Sequence, residues 1–474
     1  MLALSITVAV IAGDHVTLRA SPNRTAAQQA VLWKGDWLEV RGEQKGWLKV
    51  YDHRHERPGW VARPVTRVVE LEDKSAPALR AVVEFLRDAP GSESLGIAYA
   101  GLYMKVAPNG GIDAPLLVSL GTMAARLAHR ASTEATDTHV AEQLEVAKSW
   151  GIAFAGIEHA DGVQTCYDGA AFRQALVLSP GPADQATAVL GLTDPACDSQ
   201  TAGATERQAH DEAALALLDS ADPVRVGGPL GNRIRIRRAV VAARLAWALG
   251  RRSDPKAGAT AEAAVSAFAR VDKTELADDD VADFEASALE VAAARWAAGR
   301  PAPATKQDPK LVLAAGEPGE TCLSIDRSGD KPADKPGDKP ADKPASRCTH
   351  GQVWTNSFRV APDHASAVLA VEPLPGWLEL WLFRRGVDGW TVDVLAPATE
   401  GVDLGYVELA GWSSDGKHTV IVREARSDGA VHRTFQNLTL DSLAVDKQTP
   451  TLLGLGAAKA WVTPEWRGRT LALR

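Results

Sequence analysis

The chain has 474 residues, of which 45% are apolar and 24% are charged, and its formal net charge is −8. At roughly 100–200 residues per domain, this length predicts about three domains with sizeable cores. The acidic balance excludes a globally basic nucleic-acid-binding protein, and no run approaches the ~20 apolar residues of a membrane-spanning helix. We therefore expect no nucleic-acid partner and no membrane span.

The first segment, Met1–Gly13, is rich in β-branched residues, which favours a β-strand. A secretory signal is the alternative, but the segment lacks the Lys/Arg-rich start that such signals carry. We favour the strand, and an export signal, if the protein has one, would then lie upstream of this start.

Short predicted strands separated by glycine turns continue to about residue 70. Four motifs occur in order, namely Val16–Pro22 (VTLRASP), Lys34–Val40 (KGDWLEV), Lys45–Val50 (KGWLKV) and Pro58–Val61 (PGWV). Together they resemble the bacterial SH3 domain (SH3b type), and the resemblance covers most of residues 1–70. The resemblance implies a small SH3-like β-barrel and a cell-wall or peptide-binding module, the role that similar domains have in exported bacterial proteins.

Two tryptophans of this segment, Trp33 and Trp37, fall where the family commonly carries polar residues. They could form an exposed aromatic surface for a glycan or peptide, or they could be buried against the following helices. The predicted hairpin at residues 52–57 adds four basic side chains, which are His53, Arg54, His55 and Arg57. Residues 1–70 carry a net charge of +3, which favours binding of an anionic wall polymer. The alternative is that the basic side chains of the hairpin are simply solvated.

Residues 75–300 are rich in Ala and Leu, and their apolar positions recur with helical spacing. They resemble a tetratricopeptide-like helical array without a clean period, so we predict an all-α, helical-repeat-like domain. One β-hairpin is predicted near residues 152–167, because Asp161-Gly162 is a favoured two-residue turn.

A basic stripe lies on one predicted helix face, where Arg237, Arg244 and Arg251 recur every seven residues. Such a stripe could bind phosphate or an acidic partner. The alternative is a solvated face that pairs with acidic residues such as Asp278–Asp280 and Glu285.

Four cysteines fall into two local pairs, Cys166 with Cys197 and Cys322 with Cys348. Four cysteines allow three connectivities, so local pairing is a hypothesis; disulfides would indicate an oxidising compartment, and buried cytosolic thiols are the alternative. Cys166 lies near His159 before a predicted helix, yet no cysteine-hydrolase motif surrounds it, so we expect a structural role. No zinc spacing is present, and we expect no metal and no cofactor.

Residues 328–346 read SGDKPADKPGDKPADKPAS, which cannot form a core, so we predict that this run is disordered. It could be an interdomain linker. If Cys322 and Cys348 are joined, however, their α-carbons lie within about 7 Å and the run is a loop inside the third domain. We favour the loop, which places the third domain at residues 309–474.

The third domain is predicted to consist of antiparallel strands. Within it, Gly411–Lys417 (GWSSDGK) resembles the turn of TolB-like β-propeller blades, with Ser414 in place of the usual proline. Because a closed propeller needs at least four blades, we expect blade-like sheets and not a closed propeller. The whole chain is thus predicted to be a multidomain α+β protein.

No catalytic or nucleotide-binding motif is present, so we expect no catalytic residues. The leading hypothesis is an exported, non-catalytic envelope scaffold or binding protein, periplasmic or secreted, that binds peptidoglycan or an envelope protein. One alternative is an unrecognised cell-wall hydrolase, whose carboxylate pair the fold would assemble. A second alternative is a cytoplasmic protein-interaction scaffold.

Overall fold

The computed structural model describes residues 6–108, 111–159, 162–199, 201–298, 305–326, 346–374, 376–387, 389–399, 405–427 and 430–469. The protein is mixed α+β, with an N-terminal antiparallel sheet, a helical middle and a C-terminal sheet domain. This confirms the predicted fold class at that level. Backbone contacts divide the chain into two compact units, Met1–Ile234 and Arg235–Arg474, while the finer three-part division remains a prediction.

The N-terminal sheet has seven strands, which are β1 (Ile6–Ile11), β2 (Val16–Arg19), β3 (Gln28–Leu32), β4 (Trp37–Gln44), β5 (Trp47–Asp52), β6 (Arg57–Ala62) and β7 (Thr66–Leu71). Their order is β3-β2-β6-β5-β4-β1-β7, and all pairings are antiparallel. The edge strands β3 and β7 do not pair with each other among the described residues. The sheet therefore does not close into the barrel that the resemblance implied.

Residues 8–11 of strand β1 are all apolar and are buried on both faces of the strand. Ala9 and Ile11 belong to the core of the sheet itself. Val8 and Val10 point the other way and belong to the core formed with the helices. One strand therefore joins the sheet to the helical layer, and a charge on either face of β1 would be buried.

The helices of the first unit are α1 (Ala76–Arg87), α2 (Glu93–Val106), α3 (Ala114–Thr133), α4 (Thr138–Ser149), α5 (Ala170–Val177), α6 (Pro182–Leu192), α7 (Ala204–Ser220) and α8 (Pro223–Val226). Asp113 and Asp137 cap α3 and α4, because their carboxylates accept backbone N–H groups of the first turn. A hairpin of β8 (Phe154–His159) and β9 (Gly162–Tyr167) interrupts the helices. The division between the units falls inside α9 (Gly228–Arg251).

The second unit continues with α10 (Ala257–Phe268) and α11 (Asp280–Ala298). Three strands, β10 (Lys310–Ala315), β11 (Thr321–Asp326) and β12 (Arg347–Thr349), form a small antiparallel sheet. A large sheet follows, with strands β13 (Gln352–Val360), β14 (Ser366–Leu374), β15 (Trp377–Gly386), β16 (Gly389–Leu395), β17 (Gly405–Trp412), β18 (His418–Ser427), β19 (Ala430–Thr439) and β20 (Val445–Thr449). The last described elements are a 3₁₀ segment, Leu452–Trp461, and α12 (Pro464–Arg469).

The large sheet consists of two four-stranded antiparallel meanders, β13–β16 and β17–β20. They join through a short parallel pairing, in which Trp377 is opposite Gly405 and Leu378 is opposite Tyr406. Four strands is the number found in a propeller blade. The GWSSDGK motif forms the turn between β17 and β18, where the Ser413 hydroxyl donates to Asp415 at 2.6 Å. The blade resemblance itself remains a prediction.

The Asp-Lys-Pro run at residues 328–346, for which the sequence predicts disorder, lies outside the described residues apart from Ser346. Within the described part of the chain, no helix is long and apolar enough to cross a membrane.

Candidate functional site

Trp33, the first predicted ligand-binding residue, is only 7% exposed. Its ring centroid lies 4.4 Å from that of His15, in the turn between β1 and β2. It also lies 5.4 Å from the ring centroid of His139, in the first turn of α4. The sequence left open whether Trp33 is exposed or packs against the helices. In the structure Trp33 is buried and packs against His139 of α4.

Trp37 is half-buried among side chains of the same unit. Its ring stacks on His53 with the centroids 5.1 Å apart, and the Lys105 Nζ lies 4.6 Å from its centroid. Trp150, at the end of α4, packs 6.0 Å away and donates its indole N–H to the Gly35 carbonyl at 3.1 Å. The two tryptophans thus do not form a shared exposed aromatic surface, because α2 and α4 supply side chains that cover them.

The two arginines of the 52–57 hairpin are engaged within the first unit. Arg54 bridges Asp36 at 3.1 Å and Glu142 of α4 at 3.5 Å. Burial raises the pKa of the Asp36 carboxyl, and the Arg54 charge opposes that rise. Arg57 donates to the Gln29 carbonyl at 2.7 Å. These contacts hold the hairpin against β3 and against α4.

The two histidines of the hairpin each meet a carboxylate. His53 Nε2 lies 2.9 Å from Glu39 Oε2, and His55 Nδ1 lies 2.6 Å from Asp52 Oδ2. Hydrogen bonds from Arg41 and then His53 hold the pKa of Glu39 below its usual value. Three of the four basic side chains of the predicted cluster thus lie against a carboxylate, whereas Arg57 contacts backbone carbonyls.

An open groove of about 490 Å³ lies at the start of the edge strand β7. It is lined by Gly46, Arg63, Pro64, Thr66, Arg67 and Val68. A 3₁₀ turn at Arg63–Val65 builds this groove, because the Arg63 N–H donates to the Gly46 carbonyl at 3.0 Å. The Thr66 hydroxyl then donates to the Arg63 carbonyl at 2.8 Å and holds the beginning of β7 in place.

The two arginines of the groove differ in their partners. Arg63 pairs with Glu43, with Nη1 and Oε2 2.7 Å apart. Arg67 donates one N–H to the Thr66 carbonyl at 3.0 Å and makes no ion pair with a carboxylate among the described residues. Val68, beside it, is exposed. The groove therefore combines available guanidinium donors with an apolar wall, which suits an anionic group on a partly apolar chain.

These groove residues were not predicted from the sequence. A signal for them exists, because Arg63 and Arg67 stand four residues apart directly after the PGWV motif. The 3₁₀ turn between them, which brings Arg63 beside Gly46, is a tertiary feature that this spacing does not reveal.

The basic stripe of α9 is also engaged. Arg251 Nη2 lies 3.5 Å from Glu372 Oε2 on β14, a different acid from the ones considered in the sequence. Arg237 and Arg244 are partly exposed and have interaction partners as well. Each arginine of the stripe thus has at least one interaction partner, and phosphate binding by the stripe remains a prediction.

Buried carboxylates in the large sheet bear on the hydrolase alternative. Burial raises the pKa of Glu372 to about 7 and that of Glu424 to about 7, against the opposing charges of Arg251 and Arg433. Glu372 on β14 and Glu424 on β18 are three strand spacings apart, or roughly 14 Å. Glu408 is nearer to Glu424, but the two are 7% and 0% exposed. Both carboxylates of this pair are therefore buried, and the hydrolase alternative remains a prediction.

All four cysteines form disulfides, in the local pairs named from the sequence. The bonds are Cys166–Cys197, with S–S 2.09 Å, and Cys322–Cys348, with S–S 1.99 Å. Cys166 therefore has no thiolate to act as a nucleophile. The sulfurs of Cys322 and Cys348 and a carboxylate oxygen of Glu320 lie within 4.8 Å of one another, but sulfurs bonded to each other do not provide thiolate ligands.

Comparison of the chain with protein-family models, with curated proteins and with solved structures finds no match. The function must therefore be inferred from the groove, from the cysteines and from the motifs quoted for residues 1–70.

Proposed function

We propose that this chain is an exported, non-catalytic binding protein of the cell envelope. In this proposal the groove at residues 46 and 63–68 binds an anionic ligand, with peptidoglycan as the leading candidate. The observation that carries the proposal is Arg67, which lines the groove without a carboxylate partner among the described residues. Peptide stems of peptidoglycan carry carboxylates, and guanidinium groups bind carboxylates through paired hydrogen bonds.

Two further observations support the proposal. Both cysteine pairs lie at disulfide distance, which is compatible with the oxidising environment of an exported protein and argues against the cytoplasmic alternative. The motifs of residues 1–70 resemble a domain that serves as a wall-binding module in exported proteins. The ligand site proposed here lies in the groove and not at the tryptophans and hairpin, because those side chains are engaged within the first unit.

The test is co-sedimentation of the purified full chain with isolated peptidoglycan sacculi. Arg67→Gln removes the charge and keeps most of the side-chain length. It should weaken binding about tenfold or more, because a hydrogen bond to a charged group contributes about 1.5–3 kcal/mol. Arg63→Gln should have a smaller effect, because Arg63 already pairs with Glu43.

The matched control is Arg24→Gln. Arg24 is exposed between β2 and β3 and makes no ion pair or side-chain hydrogen bond in the part of the chain that the structure describes. Its loss changes the net charge equally and should leave binding within twofold. If the wild-type chain does not sediment with sacculi, or if Arg67→Gln binds like wild type, the proposal is contradicted.

A further inference from the structure

His15 and His139 are 124 positions apart in the sequence and meet at the surface of the first unit. Their Nε2 atoms are 3.1 Å apart, and their rings lie at 71° with the centroids 4.8 Å apart. Both residues are exposed, so solvent reaches the facing nitrogens. Neither residue lines the groove at Arg67.

A second contact fixes the segments that carry the two histidines. Asp14 directly precedes His15, and Gln143 lies one helical turn after His139, on the same face of α4. The Gln143 side-chain amide donates to both Asp14 carboxylate oxygens, at 3.1 and 3.2 Å. Gln143 is buried, so this contact is held in place. The two imidazoles therefore meet on anchored backbone and not through a chance approach of loose segments.

The third wall of the site is Trp33, whose ring packs against both imidazoles and is itself buried. The Trp33 indole lies against one side of the two imidazole rings and limits their movement toward that side. The indole is also a fluorescent group, and its centroid lies 4.4 and 5.4 Å from the centroids of the two imidazoles.

We propose that His15 and His139 bind one divalent transition-metal ion, of the zinc, nickel and copper group, through their Nε2 atoms. Water completes the coordination. Bonds from imidazole to zinc are about 2.0–2.1 Å long, so two such nitrogens on one ion are about 2.9 Å apart at a right angle and about 3.3 Å apart at the tetrahedral angle. The observed separation of 3.1 Å lies between these values.

The protons balance without a redox step. In the metal-free pair, one ring donates its Nε2 proton to the other ring. On binding, that proton moves through solvent to Nδ1 of the same ring, so both neutral imidazoles present an Nε2 lone pair to the ion. The ion replaces the hydrogen bond and adds two positive charges.

Nearby charges favour a cation. Asp14 adjoins His15, and Asp137 accepts the backbone N–H of His139 at 2.8 Å. Lys34 Nζ lies 3.9 Å from the Asp14 carboxylate and offsets part of this negative charge. Two imidazoles are ligands for zinc, nickel and copper, whereas magnesium and calcium prefer oxygen ligands.

The test is calorimetric titration of the untagged, oxidised full chain with Zn²⁺ and Cu²⁺. We expect one ion per chain at this site, with Cu²⁺ bound more tightly than Zn²⁺ and no binding of Mg²⁺. His15→Gln and His139→Gln should each weaken binding at least tenfold, because each removes one of two protein ligands. His432→Gln is the matched control, since His432 is exposed and has no hydrogen bond or ion pair among the described residues.

Copper quenching of tryptophan fluorescence locates the ion. Trp33→Phe should keep the affinity for Cu²⁺ within about threefold and lose most of the quenching. Thermal unfolding without metal checks that each variant is folded. Absence of binding to wild type, binding by either histidine variant within twofold of wild type, or full quenching after Trp33→Phe overturns the proposal.

Discussion

Gly35 illustrates how one residue determines the contact between the N-terminal sheet and the helices. It lies in the turn between β3 and β4 with φ 93°, and a Cβ at this position would lie 2.5 Å from the Ser94 carbonyl oxygen. The Ser94 hydroxyl donates to the Lys34 carbonyl at 2.7 Å, and Trp150 donates to the Gly35 carbonyl at 3.1 Å. The turn thus touches α2 and the end of α4 through its backbone.

We predict that Gly35→Ala destabilises the first unit more than Gly46→Ala. Gly46 also has a positive φ, 79°, but a Cβ there meets nothing within 4 Å. Gly46→Ala should cost about 1–2 kcal/mol for the left-handed backbone alone. Gly35→Ala should cost about 1–3 kcal/mol more, because overpacking adds to it. Urea unfolding measures both, and equal costs would show that α2 does not press on this turn.

Glu372 and Glu424 make the second unit sensitive to pH. Their folded pKa values are about 7, above the usual 4.5, because both carboxyls are buried. Between about pH 4.5 and 7 the folded state therefore binds more protons than the unfolded state, so stability falls as pH rises through this window. Each carboxyl accounts for up to roughly 3 kcal/mol of that fall.

The check is the free energy of unfolding of the second unit, measured by hydrogen exchange at pH 5 and pH 7.5. Glu424→Gln should reduce the pH dependence by about half, whatever its effect on absolute stability. A second unit that is equally stable or more stable at pH 7.5 would contradict the burial argument for both residues.

At the scale of elements, a buried carboxylate joins α2 to α3. Glu93 opens α2 and is 0% exposed, and it meets Arg126 at 2.6 Å and Arg130 at 2.8 Å. The two arginines lie one turn apart on the same face of α3. Burial raises the pKa of Glu93, but its hydrogen bonds, including those from the backbone and from Arg126, outweigh burial and leave that pKa lowered.

We predict that Glu93→Gln destabilises the first unit by about 3 kcal/mol, the low end of the cost of breaking a buried ion pair. Because the folded pKa of Glu93 is lowered, its contribution disappears as pH falls below the ordinary carboxyl range, the opposite sign from Glu424. The control is Glu84→Gln, which breaks an exposed pair with Arg80 on α1 and should cost at most about 0.5 kcal/mol. If Glu93→Gln and Glu84→Gln lower the free energy of unfolding in urea equally, Glu93 does not stabilise the contact between α2 and α3.

Across the whole molecule, local patterns predicted the elements better than they predicted the sites. The helical spacing of apolar residues over 75–300 predicted helices, and in α1 that spacing places Leu79, Val83 and Leu86 on one buried face. The groove depends on a 3₁₀ turn that returns Arg63 to Gly46, and neither periodicity nor motif encodes that return. Trp37 lies within a motif that resembles the family, at a position where the family commonly carries a polar residue, and its surroundings come from α2 and from the end of α4, far along the chain.

The same limit applies to long-range pairs. No spacing rule connects His15 with His139, because only the docking of a turn on α4 brings them together. Glu424 occupies a strand position at which sequence alternation cannot distinguish a solvated face from a covered one, yet it is fully buried. Disulfide pairing was accessible from sequence because the paired cysteines are close along the chain.

The protein as a whole is acidic, while its first 70 residues carry a net charge of +3 and contain the groove. The measurement that tests this account most directly is hydrogen exchange of the full chain with and without saturating muramidase-digested peptidoglycan. We predict slowed exchange at residues 63–70 and around Gly46, with little change at residues 33–37 and 52–57. Protection confined to the tryptophans and the hairpin, or no protection in the N-terminal sheet, would contradict the assignment of the groove as the ligand site.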